Sequence, residues 1–98
     1  MCHFFANQHP ESYAFETRSI RLNGQSTSIR LEKIFWRILE RIARQQGMSV
    51  PRFISTLHGE VLGLWGEVVN FTSHLRCICI VALETKADES EFEKPQVA

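Results

Sequence analysis

The sequence predicts a mainly α-helical protein that carries a short β-ribbon and an added helix at its C-terminal end. Three observations predict it. Residues 19–31 alternate apolar and polar side chains about an Asn23-Gly24 pair, the apolar period changes to 3.6 from Lys33, and a second stripe of that period opens behind Ser49.

The ribbon is read from "SIRLNGQSTSIRLE", Ser19 to Glu32, in which Ser-Ile-Arg-Leu occurs at 19–22 and again at 28–31. Asn-Gly supplies the two positive-φ positions of a two-residue hairpin turn. Paired through it, Ile20, Leu22, Thr27, Ile29 and Leu31 share one face, and Ser19, Arg21, Ser26, Ser28 and Arg30 share the other. The residues alone leave two readings of the polar face open: a solvated outer surface, or a surface that recognises a partner.

From Lys33, Ile34, Phe35, Ile38, Leu39 and Ile42 form one helical stripe, with Trp36 and Ala43 at its border and Gly47 as the stop. Lys33, Arg37, Arg41 and Arg44 line the opposite, solvated side. An apolar face this wide suits burial on two sides, as when two subunits wrap round each other. In "GMSVPRF", Ser49 is a good N-cap and Pro51 is tolerated in a first turn. The second helix places Val50, Phe53, Ile54, Leu57 and Val61 on one stripe and runs to about Trp65, with Gly59, Gly63 and Gly66 weakening its far end. Glycines so placed point to close backbone packing or to an early helix end.

The last ordered element is "NFTSHLRCICIVALE", where Leu75, Ile78, Cys79, Ala82 and Leu83 follow helical spacing behind Asn70, Thr72 or Ser73 as caps. A helix is expected, although "CICIV" by itself also suits a buried strand. The chain therefore divides into an arm (1–17), rich in Phe4, Phe5, Tyr13 and Phe15 and expected to pack in part on the body, a domain (18–84), and an acidic tail (85–98) expected to be disordered.

The formal net charge of zero conceals a segregation. Residues 18–52 carry eight basic groups and two acidic ones, a local balance of +6, whereas 1–17, 53–84 and 85–98 each carry −2. One basic segment in a neutral chain points to a face for an anionic partner. The three cysteines, Cys2, Cys77 and Cys79, have no framework spacing and fit a reducing cytoplasm. No run approaches the roughly 18 apolar residues that a membrane span needs. At 98 residues a chain often leans on a partner subunit.

The order strand, helix, glycine turn, serine-capped helix in "TSIRLEKIFWRILERIARQQGMSVPRFI", Thr27 to Ile54, resembles the ribbon-helix-helix DNA-binding family. The longer register, Met1-Cys2, "TRSIRLNGQSTSIRLE", Phe35-Trp36, "GMS" and "NFTS" followed by Leu75-Arg76, is similar to a bacterial subgroup of small proteins of that family and extends the resemblance over about residues 1–84.

The resemblance implies an intertwined homodimer whose two-stranded ribbon enters the major groove of double-stranded DNA, and a cytoplasmic transcriptional regulator. It implies base contacts from Ser26, Ser28 and Arg30, with arginine suited to guanine O6 and N7. Phosphate contacts fall to Ser49, the Val50 amide and Arg52 at the second helix's N-terminus, and to Arg18 and Arg21 upstream. Ile29, Leu31, Phe35, Ile38, Leu39, Ile42, Phe53, Ile54 and Leu57 would form the dimer core. Simpler members have one strand, so the upstream Ser19–Leu22 copy either pairs locally or extends the ribbon.

Two other classes of function are weighed against this. One is an antitoxin-like or adaptor protein that binds a protein partner through residues 57–84. The other is a thiol or metal sensor built from His74, Cys77 and Cys79 with His58 or Cys2; it is disfavoured because Cys77 and Cys79 point to different sides of a helix and no Cys-x-x-Cys pair occurs. No metal, cofactor or catalytic set is expected. No nucleophile, base and orienting group are recognisable, and no glycine-rich phosphate loop occurs, so the chain is not expected to be an enzyme.

Overall fold

The structure is a computed structural model that describes residues 2–92, and of the last six only the backbone. Two short helices, α1 (Cys2–Ala6) and α2 (Pro10–Tyr13), precede strands β1 (Phe15–Leu22) and β2 (Gln25–Glu32), followed by helices α3 (Lys33–Gln45), α4 (Val50–Trp65) and α5 (Phe71–Phe92).

The two strands form an antiparallel hairpin within one chain, which answers what the upstream copy pairs with. Its turn is Asn23-Gly24, with φ of 52° and 84°, the backbone sign that a two-residue loop matched to strand twist requires. The register sets Ser19 opposite Ser28, Ile20 opposite Thr27 and Arg21 opposite Ser26. Side chains alternate as the sequence predicts: Ile20, Leu22, Ile29 and Leu31 are buried, whereas Ser19, Arg21, Ser26, Ser28 and Arg30 are exposed.

Strand β2 runs directly into α3, and Glu32 provides no side-chain cap. The arm supplies what is missing: the Ala14 carbonyl accepts the Lys33 N–H at 2.9 Å, and Glu11 meets the Lys33 ammonium at 2.6 Å. So α2 packs on the body as expected, while Phe4, Phe5 and Tyr13 stay exposed. At its other end α3 closes in a Schellman motif. Gly47 takes φ of 70°, its N–H bonds to the Arg44 carbonyl, and Met48 N–H bonds to that of Ala43.

Ser49 caps α4 by accepting the Arg52 N–H on its hydroxyl, and Gly66, at φ 80°, ends it. Gly59 and Gly63 neither stop the helix nor meet any atom within 4 Å of where a Cβ would stand. Close packing is therefore not their reason, and no contact seen in the structure explains them. Gly59→Ala and Gly63→Ala are each expected to stabilise the fold by about 1 kcal/mol, read as a raised midpoint in thermal unfolding.

Helix α5 is helical through "CICIV", so the strand alternative falls away. It continues past Glu84 to Phe92, eight residues beyond the expected boundary. The start of the tail expected to be disordered is thus helix, because its lysine and glutamates are good helix formers and a turn already in place is cheap to extend. Residues 93–98 lie outside the described part.

The core joins the inner face of the ribbon to all three long helices: Ile20, Leu22, Ile29, Leu31, Trp36, Ile38, Leu39, Ile54, Leu75 and Cys79. Of the nine residues expected to form a dimer core, Ile29, Leu31, Ile38, Leu39 and Ile54 are buried within a single chain; Phe35, Ile42, Phe53 and Leu57 pack against them half-buried. One chain closes this core because β1 and α5 cover surface that a lone strand and two helices would leave bare. Trp36, read as a border residue, is 1% exposed, and its indole N–H donates to the Glu16 carbonyl at 2.8 Å. A buried indole needs that acceptor, and β1 provides it.

Candidate nucleic-acid interface

Alternation along two paired strands builds the candidate surface. On the side away from the core, Thr17, Ser19 and Arg21 of β1 lie beside Ser26, Ser28 and Arg30 of β2, all exposed. The patch thus carries two guanidinium groups and four hydroxyls. Glu32, the carboxylate of this face, stands at its far end, half-buried and bound to Arg76 at 3.0 Å. Burial pushes the Glu32 carboxyl up, but its own backbone N–H and Arg76 outweigh that and hold it below its ordinary value. It stays ionised and paired, which limits its repulsion of an anionic ligand.

Local contacts orient the groups of this face. The Arg30 guanidinium lies 3.9 Å from the Phe15 ring centroid, a cation–π contact that holds the long side chain across the strands. Arg21 donates from Nη1 to the Gly24 carbonyl at 3.0 Å, and the hydroxyls of Ser19 and Ser26 are 2.7 Å apart. Among the described residues neither Arg21 nor Arg30 forms an ion pair. Both guanidiniums therefore keep most of their donors for an outside acceptor.

Ser26, Ser28 and Arg30 are brought together as the sequence reading placed them. Arg21, assigned there to the DNA backbone, sits on the same face as Arg30. Thr17, Ser19 and Phe15 complete the patch beyond the assigned contacts; the alternation already marks Ser19, and it marks Thr17 and Phe15 once β1 is extended upstream to Phe15. Arg18 departs from its assignment. It lies on the core-facing side, where it bonds Glu16 at 2.6 Å and Glu40 at 2.8 Å and stacks 4.5 Å over Trp36. A side chain held by two carboxylates and an indole is a structural strut, and its position one residue off the alternation is the reason.

At the start of α4, Ser49 has taken the Arg52 and Phe53 N–H groups onto its hydroxyl and carbonyl, and Pro51 has no N–H. Val50 is thus the amide of this turn left for an outside acceptor. Arg52 is exposed and makes no ion pair among the described residues.

The cysteines divide by burial. Cys79 is in the core, its thiol 3.7 Å from the Phe35 carbonyl and its pKa pushed up to about 11 by burial, while Cys2 and Cys77 are exposed. Among the described residues no three of His, Cys, Asp and Glu converge on a common point, and no helix is long and apolar enough to cross a membrane. In the folded protein Cys2 and Cys77 are expected to react with a maleimide or iodoacetamide while Cys79 resists until denaturant is added, as counted by mass spectrometry.

The ribbon-helix-helix domain matches residues 15–83, from the first residue of β1 into α5. Among solved structures, an uncharacterized protein from Bordetella pertussis Tohama I is similar with a TM-score of 0.88 and 42% identity, over 90% of this chain and 70% of that one. No curated protein matches.

Proposed function

Because this chain belongs to the ribbon-helix-helix family, a family of DNA-binding regulators, we propose that it is a sequence-specific regulator of transcription that lays the outer face of its β1–β2 ribbon in the major groove of double-stranded DNA. The observation that carries this is the composition of that face: two guanidiniums that form no ion pair among the described residues and four hydroxyls, with its carboxylate set at one end and paired with Arg76. A two-stranded ribbon fits the major groove, whose base edges present a distinct donor and acceptor pattern. Arg30, with Ser26 and Ser28, reads bases; the Val50 amide and Arg52 bind phosphate at the N-terminus of α4. The setting is a bacterial cytoplasm in which the thiols stay reduced.

The protein acts as a homodimer in this reading. Its support is apolar surface that one chain leaves open between residues 57 and 84: Leu64 is 78% and Trp65 77% exposed, with Val69, Ile80, Val81 and Leu83 also bare. The same surface supports the second reading, an antitoxin-like or adaptor protein that uses it for a different protein. Mass measured in solution separates them, since the first expects a dimer from the purified chain alone and the second a monomer until a partner is added.

The decisive experiment is selection of bound duplexes from a random pool. Enrichment of a defined motif, with affinity falling steeply as salt rises, is the expected result. A pool that stays random through successive rounds would overturn the DNA-reading function.

A further inference from the structure

We infer that the ribbon of a single chain is two-fold pseudosymmetric and reads a short inverted repeat by itself, with Arg21 and Arg30 each taking a guanine on opposite DNA strands. The inference rests on the DNA-binding reading above and assigns to Arg21 a base-reading position.

It comes from laying the sequence repeat on the strand register. The two Ser-Ile-Arg-Leu copies are nine residues apart, and the hairpin sets Ser19 directly opposite Ser28, the first residues of the two copies. In an antiparallel pair, a two-fold axis perpendicular to the sheet through two opposed residues exchanges the strands. Through Ser19 and Ser28 that axis carries each β1 residue onto the β2 residue nine later. Arg21 falls on Arg30, Thr17 on Ser26, Ile20 on Ile29 and Leu22 on Leu31. The six polar residues of the outer face thus map onto one another with a single conservative change, threonine for serine, and the four buried residues of the inner face map onto identical residues; Phe15 and Glu32, at the far end, fall on the turn residues Gly24 and Asn23 and lie outside the symmetry. Register decides where that axis falls. With the turn two residues later Arg21 would stand directly opposite Arg30, and the spacing between the two arginines would vanish.

The consequence for DNA is geometric. Arg21 stands opposite Ser26 and Arg30 opposite Thr17, so the two arginines are four register positions apart. At about 3.3 Å per residue that is about 13 Å, close to four base-pair steps of about 3.4 Å. A two-fold axis also exchanges the strands of a duplex, so equivalent arginines meet equivalent guanines on opposite strands. The two ends differ in how the side chain is held: Arg30 stacks on Phe15, whereas Arg21 must give up its bond to the Gly24 carbonyl. The Arg21 half is accordingly the weaker one.

The test uses the full chain and the motif selected from the random pool. The expected motif contains two guanines on opposite strands about four steps apart, whether or not the whole repeats about one helical turn away for a second subunit. Arg21→Ala and Arg30→Ala are then titrated against duplexes changed at one guanine or the other. Each variant is expected to lose about 5- to 150-fold in affinity for the parent motif and to become indifferent to its own guanine alone. Arg21→Lys keeps the charge, so it should retain non-specific binding and still lose guanine discrimination. A motif with one guanine per ribbon, or an Arg21→Ala protein with unchanged preference at every position, overturns the inference and leaves DNA reading intact. A wild-type protein that enriches no motif overturns both.

Discussion

Leu39→Asp is expected to leave no cooperative unfolding transition by circular dichroism, in heat or in denaturant. Leu39 is 0% exposed at the centre of the core, among the residues that join the ribbon to α3, α4 and α5. An unpaired carboxylate there costs several kcal/mol in lost hydration, and among the described residues no basic group lies within the buried cluster to meet it. A domain of this size has about 5–15 kcal/mol in all, so the substitution removes a large share of the stability. Two companions calibrate the result. Leu39→Ala should lose about 2–5 kcal/mol and still fold, and Arg37→Asp, on the exposed side of the same helix, should stay within about 0.5 kcal/mol of the parent. A folded, cooperative Leu39→Asp protein would mean that this core is not closed as described.

The second large effect is on DNA. Arg30→Ala should fold normally, since the side chain is exposed, and lower affinity for the selected motif by about 5- to 150-fold while hardly changing affinity for random duplex. Arg52→Ala should do the opposite. It weakens binding to both DNAs alike and reduces the slope of log affinity against log salt by about one, because one phosphate contact has gone. The pair of variants separates a base-reading group from a charge that only holds the backbone. Equal losses on motif and random DNA for Arg30→Ala would remove it from the reading face.

Much of the fold was legible because it is set locally. Asn23-Gly24 imposes a two-residue turn whatever surrounds it, and the alternation on either side assigns each neighbouring residue to a face. Gly47 and Ser49 carry the helix end and helix start in their own backbone and hydroxyl chemistry. Trp36 and Arg18 were misread for the opposite reason. Whether an indole at the edge of a stripe is buried depends on a carbonyl twenty residues away, at Glu16, and whether a basic residue is free depends on carboxylates at 16 and 40. Neither fact leaves a trace in local periodicity.

Which side chains of the ribbon face apart, where the helices begin, and the gathering of basic charge between residues 18 and 52 can all be read from the order of residues. Those properties follow from backbone preference and from a period of two or 3.6, which neighbouring residues fix among themselves. What covers the core face, and whether the two Ser-Ile-Arg-Leu copies pair with each other in one chain or extend a longer ribbon, came from the packing alone. Burial is a contact between distant segments, and the same apolar stripe is satisfied by a strand of its own chain as well as by one from another. Here β1 fills that place, which closes the core within one chain and keeps Arg21 and Arg30 on a single intramolecular face.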